Sequence, residues 1–124
     1  MDAEELKLRT KKFGLDAIGL VESLPSTQTG KVIGNQLLRS ALSVGANYRA
    51  ACRGRSKADF ISKVGITIEE ADESQHWLEM LADAGLVPLE KLKPLIKEAG
   101  ELVAILTASA KTARANLNRR DQAR

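Results

Sequence analysis

An all-α chain folded as an antiparallel up-down-up-down four-helix bundle is the architecture that three features of the sequence predict. Four stretches carry apolar residues at helical spacing, short breakers separate them, and no stretch alternates as a strand does. Helices of about 20 to 30 residues joined by loops of about 2 to 6 pack most simply as antiparallel neighbours. With 124 residues, the chain is expected to form one domain over 1–124, with 118–124 as a frayed tail. Its aromatics are Phe13, Tyr48, Phe60 and Trp77 alone, so Ala, Leu, Ile and Val must fill the core. Base-stacking platforms are disfavoured for the same reason.

The first helix is expected from about Ala3 to Ser23. Leu6, Phe13, Ala17, Leu20, Val21 and Leu24 share one arc, and Pro25 stops it. The second runs from about Thr29 to Arg53, with Ile33, Leu37, Ala41, Val44, Tyr48 and Ala51 on a stripe about 80° wide. Gly54 ends it. Ser56 is a suitable N-cap for the third, and Asp59 at its third position faces the positive end of the helix dipole. That helix should reach about Ala84, where Gly85 can take the left-handed terminal position. The fourth begins near Pro88 and continues through Leu92, Leu95, Ile96, Ala99, Val103, Leu106, Ala110, Ala113 and Leu117. Pro94 lies inside that pattern, so its first turn or two are expected as a separate or kinked piece.

Helix three is apolar on two sides. Phe60, Ile61, Val64, Ile68, Ala71, Leu78 and Ala82 form one arc, and Ile66, Trp77 and Met80 lie largely opposite. A second apolar side needs a second packing partner, so self-association is expected through Ile66, Glu70, Glu73, Trp77 and Met80. The alternative is that Trp77 covers the bundle rim. Interior glycines at 34, 45 and 65 each cost roughly 1 kcal/mol against Ala. Close helix approach at Gly34, Gly45 and Cys52 is the expected compensation, with a kink as the alternative.

Catalytic and metal chemistry find little support. STQTGKVIG resembles a phosphate loop, but Pro25 stands where the first glycine is needed and a helix rather than a strand precedes it. One Cys and one His cannot build a structural zinc site. His76, with Asp72 and Glu79 at helical spacing, reads as part of a solvated cluster. Cys52 near a helix C-terminus reads as a packing residue. The acids Glu69, Glu70, Asp72 and Glu73 lack the second His that a di-iron bundle requires. No catalytic residue, cofactor, metal or small-molecule substrate is therefore assigned. The N-terminus has no apolar leader and no run approaches the length of a membrane span, so a cytoplasmic protein without membrane contact is expected.

Charge is unevenly placed despite a net value of only +3. Residues 31–58 hold six basic and no acidic residues, whereas 59–83 hold seven acids against Lys63. On the second helix Lys31, Asn35, Arg39, Arg49 and Arg53 lie opposite the apolar stripe, so they point outward. If helices two and three form a hairpin about Arg55, Arg39 faces Glu70, Asp72 and Glu73. Arg49, Arg53, Arg55 and Lys57 then have only Asp59 nearby. That basic end has two explanations: pairing with a neighbouring subunit's acids, or binding the phosphates of RNA or DNA.

Residues 34–81, above all SVGANYRAACRGRSKADF followed by EEADES and WLE, closely resemble the bacterial four-helix-bundle proteins encoded in intervening sequences of 23S ribosomal RNA genes. The resemblance is specific over the middle two helices and looser over LP at 24–25 and the fourth helix. It implies a ring-like homopentamer with no enzymatic activity. The family's genomic setting, and its architectural likeness to retroelement accessory proteins, imply association with nucleic acid. Arg39, Asn47, Tyr48, Arg49, Arg53, Lys57, Glu70, Glu73 and Trp77 match the motif positions.

Overall fold

The computed structural model describes residues 1–122. These residues form four helices: α1 (Ala3–Glu22), α2 (Gln28–Cys52), α3 (Lys57–Asp83) and α4 (Leu89–Gln122). Consecutive helices pack against each other, α4 returns to α1, and among the described residues the diagonal pairs do not touch. This is the antiparallel four-helix bundle that the periodicity predicts. No helix among these residues is long and apolar enough to cross a membrane.

Local chemistry sets the boundaries. The Asp2 carboxylate caps α1 by accepting the Glu5 backbone N–H. Thr27 caps α2 by accepting from Gly30, so this helix starts one residue before Thr29. Such side-chain acceptors satisfy donors that the first turn otherwise leaves unpaired. Ser56 caps α3 as expected, and Gly85, at φ 71, takes the left-handed position after it. The Leu86 and Val87 N–H groups then donate back to the Leu81 carbonyl, closing the helix end.

One expectation for α4 is corrected, that of a separate first piece. Pro94 lies inside one continuous helix rather than ending a separate piece. It falls in the second turn, where its ring removes one backbone hydrogen bond, while Leu92, Leu95 and Ile96 around it pack on the core and hold the segment in place. The helix also continues past Leu117 to Gln122; the last two residues of the expected frayed tail, 123–124, lie outside the described residues.

The core is aliphatic. All six stripe residues of α2 are buried, together with Phe13 and Ala17 of α1, Val64, Ala71, Leu78 and Leu81 of α3, and Leu92, Ala99, Leu102 and Leu106 of α4. Four buried polar residues, Thr10, Ser40, Thr67 and Ser74, were not legible as core. Each hydroxyl bonds a carbonyl of its own helix, which removes the penalty of burying it unpaired. Ser40 and Ser74 also meet across the α2–α3 seam at 2.9 Å. The α1–α4 seam is the loosest of the four. It is clamped by Arg9, whose guanidinium donates to both Glu98 oxygens at 2.7 and 2.6 Å and to Glu101 at 2.7 Å.

The interior glycines divide. A Cβ at Gly45 would sit 3.5 Å from the Thr10 and Lys11 backbone of α1, and one at Gly34 would press Leu24 and Val21 at 3.1 and 3.2 Å, so close approach accounts for both. Cys52 packs half-buried against the core. Gly65 has nothing within 4 Å of a built Cβ, and no packing reason explains it. Gly65→Ala is therefore expected to raise stability by about 0.5–1 kcal/mol by removing the helix-interior glycine penalty. Gly30→Ala should do the opposite, because its Cβ would fall 2.6 Å from the Pro25 carbonyl oxygen; a loss of about 1–3 kcal/mol is expected. Urea denaturation of both variants checks the contrast.

Candidate nucleic-acid interface

The α2–α3 connection is short and held by reciprocal hydrogen bonds. Asp59 donates its N–H to the Ser56 hydroxyl, and its carboxylate accepts the Arg55 N–H at 3.1 Å and the Lys63 ammonium at 3.1 Å. These contacts hold the Asp59 carboxyl below the usual carboxylate range, the Lys63 hydrogen bond first and the Arg55 backbone N–H second. The turn is thereby fixed, and with it the base of the basic cluster.

Arg49, Arg53 and Arg55 are exposed and Lys57 is half-buried. None of the four forms an ion pair among the described residues. Arg39 differs, since it pairs with Glu70 at 3.3 Å and with Glu73, two of the three acids that the hairpin register brings near it. Asp72, the third, is exposed and outside this cluster. The outward positions Lys31, Asn35, Arg39, Arg49 and Arg53 are all exposed, as the helical wheel requires.

Antiparallel packing adds residues that the sequence reading missed. The C-terminal part of α4 lies at the same end as the α2–α3 turn and carries Lys111, Arg114, Arg119 and Arg120, all exposed. At about 1.5 Å per residue, a helix of 34 residues outruns its 20- to 27-residue partners, so Lys111 and Arg114 stand level with the last core layer and Arg119 and Arg120 beyond it. A signal existed: between Glu101 and Asp121 there is no acid. Opposing charge at this end comes from the start of α1, where Asp2 is used as a cap, Glu4 pairs with Lys7 and Glu5 is exposed.

The same end holds an open cleft bordered by all four helices, with Tyr48, Cys52, Lys57 and Phe60 on its walls. Burial pushes the Tyr48 phenol above its usual range, and the neighbouring Cys52 adds to the shift. The phenol therefore stays protonated and serves packing. His76 is exposed and meets the Trp77 ring edge-on at 4.9 Å. Among the described residues no cluster of His, Cys, Asp or Glu is placed to hold a metal ion.

The residues expected at a subunit contact lie on one outward arc of α3, beside α2. Ile66 and Met80 are exposed and Trp77 is half-buried. The Trp77 indole N–H donates to Glu73 at 3.2 Å, so Arg39, Glu73 and Trp77 form one connected surface cluster. Glu70 and Glu73 are thus already engaged within the chain.

Fold and surface together define a class: an aliphatic four-helix bundle with one cation-rich end and an amphipathic outer face on α3. Within that class, the chain belongs to the 23S rRNA-intervening sequence protein family, whose sequence profile matches residues 5–108. It is similar to a protein of unknown function from the S23 ribosomal protein family of Bacteroides thetaiotaomicron VPI-5482, known from a crystal structure. The two share 32% identity over 90% of this chain and 99% of that one, with a TM-score of 0.83. No match was found among curated proteins.

Asp59→Asn should lower the melting temperature at neutral pH, because the Lys63 pairing is lost. The Asp59 pKa lies below its unfolded value, so this contribution is present above the ordinary carboxylate range and lost as pH falls through the lowered value. The gap between wild type and variant is expected to be constant near pH 7 and to close below about pH 4; thermal melts across that interval measure it.

Proposed function

We propose that this protein is a non-enzymatic, self-assembling helical bundle that associates with RNA or DNA through its basic end. One observation carries the reading: Arg49, Arg53, Arg55 and Lys57 converge at one end without an ion-pair partner among the described residues, and α4 contributes further exposed cations there. Unpaired, clustered guanidinium groups suit phosphate oxygens, which accept two parallel N–H bonds. The near absence of aromatics favours contact with the sugar-phosphate backbone over base stacking. The family's name, which ties its members to 23S rRNA intervening sequences, agrees with a nucleic-acid setting. The assembly is read as a homopentamer, following the resemblance in the middle two helices, and its compartment as the cytoplasm. Neither an active-site base nor a nucleophile beside one enters this reading.

The exposed apolar residues favour a second reading, in which the bundle is a protein-protein adaptor and the arginines contact a neighbouring subunit. Arg53→Glu combined with Arg55→Glu separates the two, since both side chains are exposed and neither forms an ion pair among the described residues. Under the first reading the double variant keeps its assembly state but loses at least tenfold in affinity for a mixed-sequence RNA or DNA. Wild-type affinity should fall with salt at a log–log slope of about −3 to −4, as expected for about four phosphate contacts. Binding indifferent to salt, or none by wild type, removes the nucleic-acid reading. Dissociation of the double variant by light scattering supports the adaptor reading instead.

A further inference from the structure

A second apolar surface lies on the side of the bundle next to the α3 arc. Leu8, Leu15 and Leu42 are 69%, 56% and 47% exposed and line one groove between α1 and α2 with a volume of about 400 Å³. Leu8 and Leu15 stand two turns apart on one face of α1. The groove floor is shallow because Gly14 and Gly45 let the helices close: a Cβ at Gly14 would meet Leu42 at 3.2 Å and one at Gly45 the α1 backbone at 3.5 Å. Large exposed leucines around a shallow groove mark a docking surface rather than scattered surface apolarity.

Charge identifies what docks there. Of the charged residues lining the groove, Glu4 and Lys7 pair with each other. Lys11 and Arg49 form no ion pair among the described residues, leaving the groove positive. The α3 arc is its opposite: Ile66 and Met80, 43% and 36% exposed, stand among Glu70 and Glu73, which share the single guanidinium of Arg39, and the exposed Glu69, which forms no ion pair among the described residues. An apolar strip flanked by acids thus lies on one side of the bundle, and an apolar groove flanked by cations lies on the adjacent side. Groove against groove would set Lys11 and Arg49 of one copy against the same cations of another, and α3 against α3 would oppose like carboxylates; both are disfavoured.

We propose that the α1–α2 groove of one copy receives the outer face of α3 of a second copy. The apolar centre is Leu8, Leu15 and Leu42 against Ile66 and Met80, and Lys11 and Arg49 face Glu69 at the rim. This contact is heterologous. Each copy keeps one free groove and one free α3 face, so successive copies turn by a constant angle and close into a ring when that angle divides a full turn. The proposal rests on the self-assembly part of the functional reading and names the surfaces that carry it. Arg49 belongs to the rim of this contact as well as to the basic end, so nucleic-acid binding is tested separately at Arg53 and Arg55, which lie outside the groove.

A mixing experiment tests it. Leu8→Gln with Leu15→Gln removes the groove's apolar lining, and Ile66→Gln with Met80→Gln removes that of the α3 face, both with a good helix former at exposed positions. Each double variant alone is expected to be monomeric by analytical ultracentrifugation with unchanged helicity by circular dichroism. Mixed, they should form a 1:1 heterodimer and nothing larger, because only one native contact can be rebuilt. Charge reversal gives a second route: Lys11→Glu should weaken assembly at least tenfold, and adding Glu69→Lys should restore it. Assembly of either glutamine variant like wild type, a mixture that stays monomeric, or no rescue by Glu69→Lys overturns the assignment. A wild type that is monomeric at micromolar concentration overturns the self-assembly reading itself, whereas an assembled wild type with an assembled groove variant overturns only the choice of surface.

Discussion

The register of α2 against α3 is the constraint on which the rest of this bundle depends. Ser56 and Asp59 close the turn between them, and the Ser40 and Ser74 hydroxyls meet in the core at 2.9 Å. Small side chains at that crossing let the helices approach closely, and each hydroxyl still bonds its own helix, so burial leaves no polar group unpaired. Sliding α3 by one turn would separate the serines and bury a mismatched pair of larger groups. The same register carries Arg39 to Glu70 and Glu73 and, among the described residues, leaves the arginines nearer the turn without an ion pair.

Polarity along the bundle follows from that arrangement. Acids of α3 neutralise α2 where the two run side by side, and the uncompensated charge gathers at the turn. Antiparallel packing then brings the C-terminal half of α4 to the same end. Cations from segments more than fifty residues apart thus share one surface, which a polyanion can contact as a whole. Across the bundle the Arg9 clamp holds the loose α1–α4 seam, and an open cleft bordered by all four helices lies at the basic end.

Much of this was legible before any coordinates. The period of the apolar residues located all four helices, and the α2 stripe from Ile33 to Ala51 is buried throughout. The Ser56 cap and the left-handed Gly85 were readable because both are local: one needs a side-chain oxygen three residues before an N–H, the other a residue without a Cβ. Pro94 misled, because a missing backbone donor in the second turn weighs less than the core contacts of Leu92 and Leu95. Thr10, Ser40, Thr67 and Ser74 were missed as core, since a hydroxyl bonded back to its own helix behaves as a small packing residue, and composition does not show that bond.

The candidate surfaces divide in the same way. Sequence by itself determined the fold class, the aliphatic core, the outward direction of the α2 cations and the second apolar side of α3, because each depends on the fixed rotation of about 100° per helical residue. The Arg39 pairing followed from the hairpin register, whereas tertiary structure alone decided which charges meet across the α1–α4 seam. Arg9 meets Glu98 across 89 residues, and the α4 cations join the basic end. Leu8, Leu15 and Leu42 line one groove only because Gly14 and Gly45 let α1 and α2 close on each other. Contacts between residues distant in the chain are set by packing, and packing leaves no period in the sequence from which to read them.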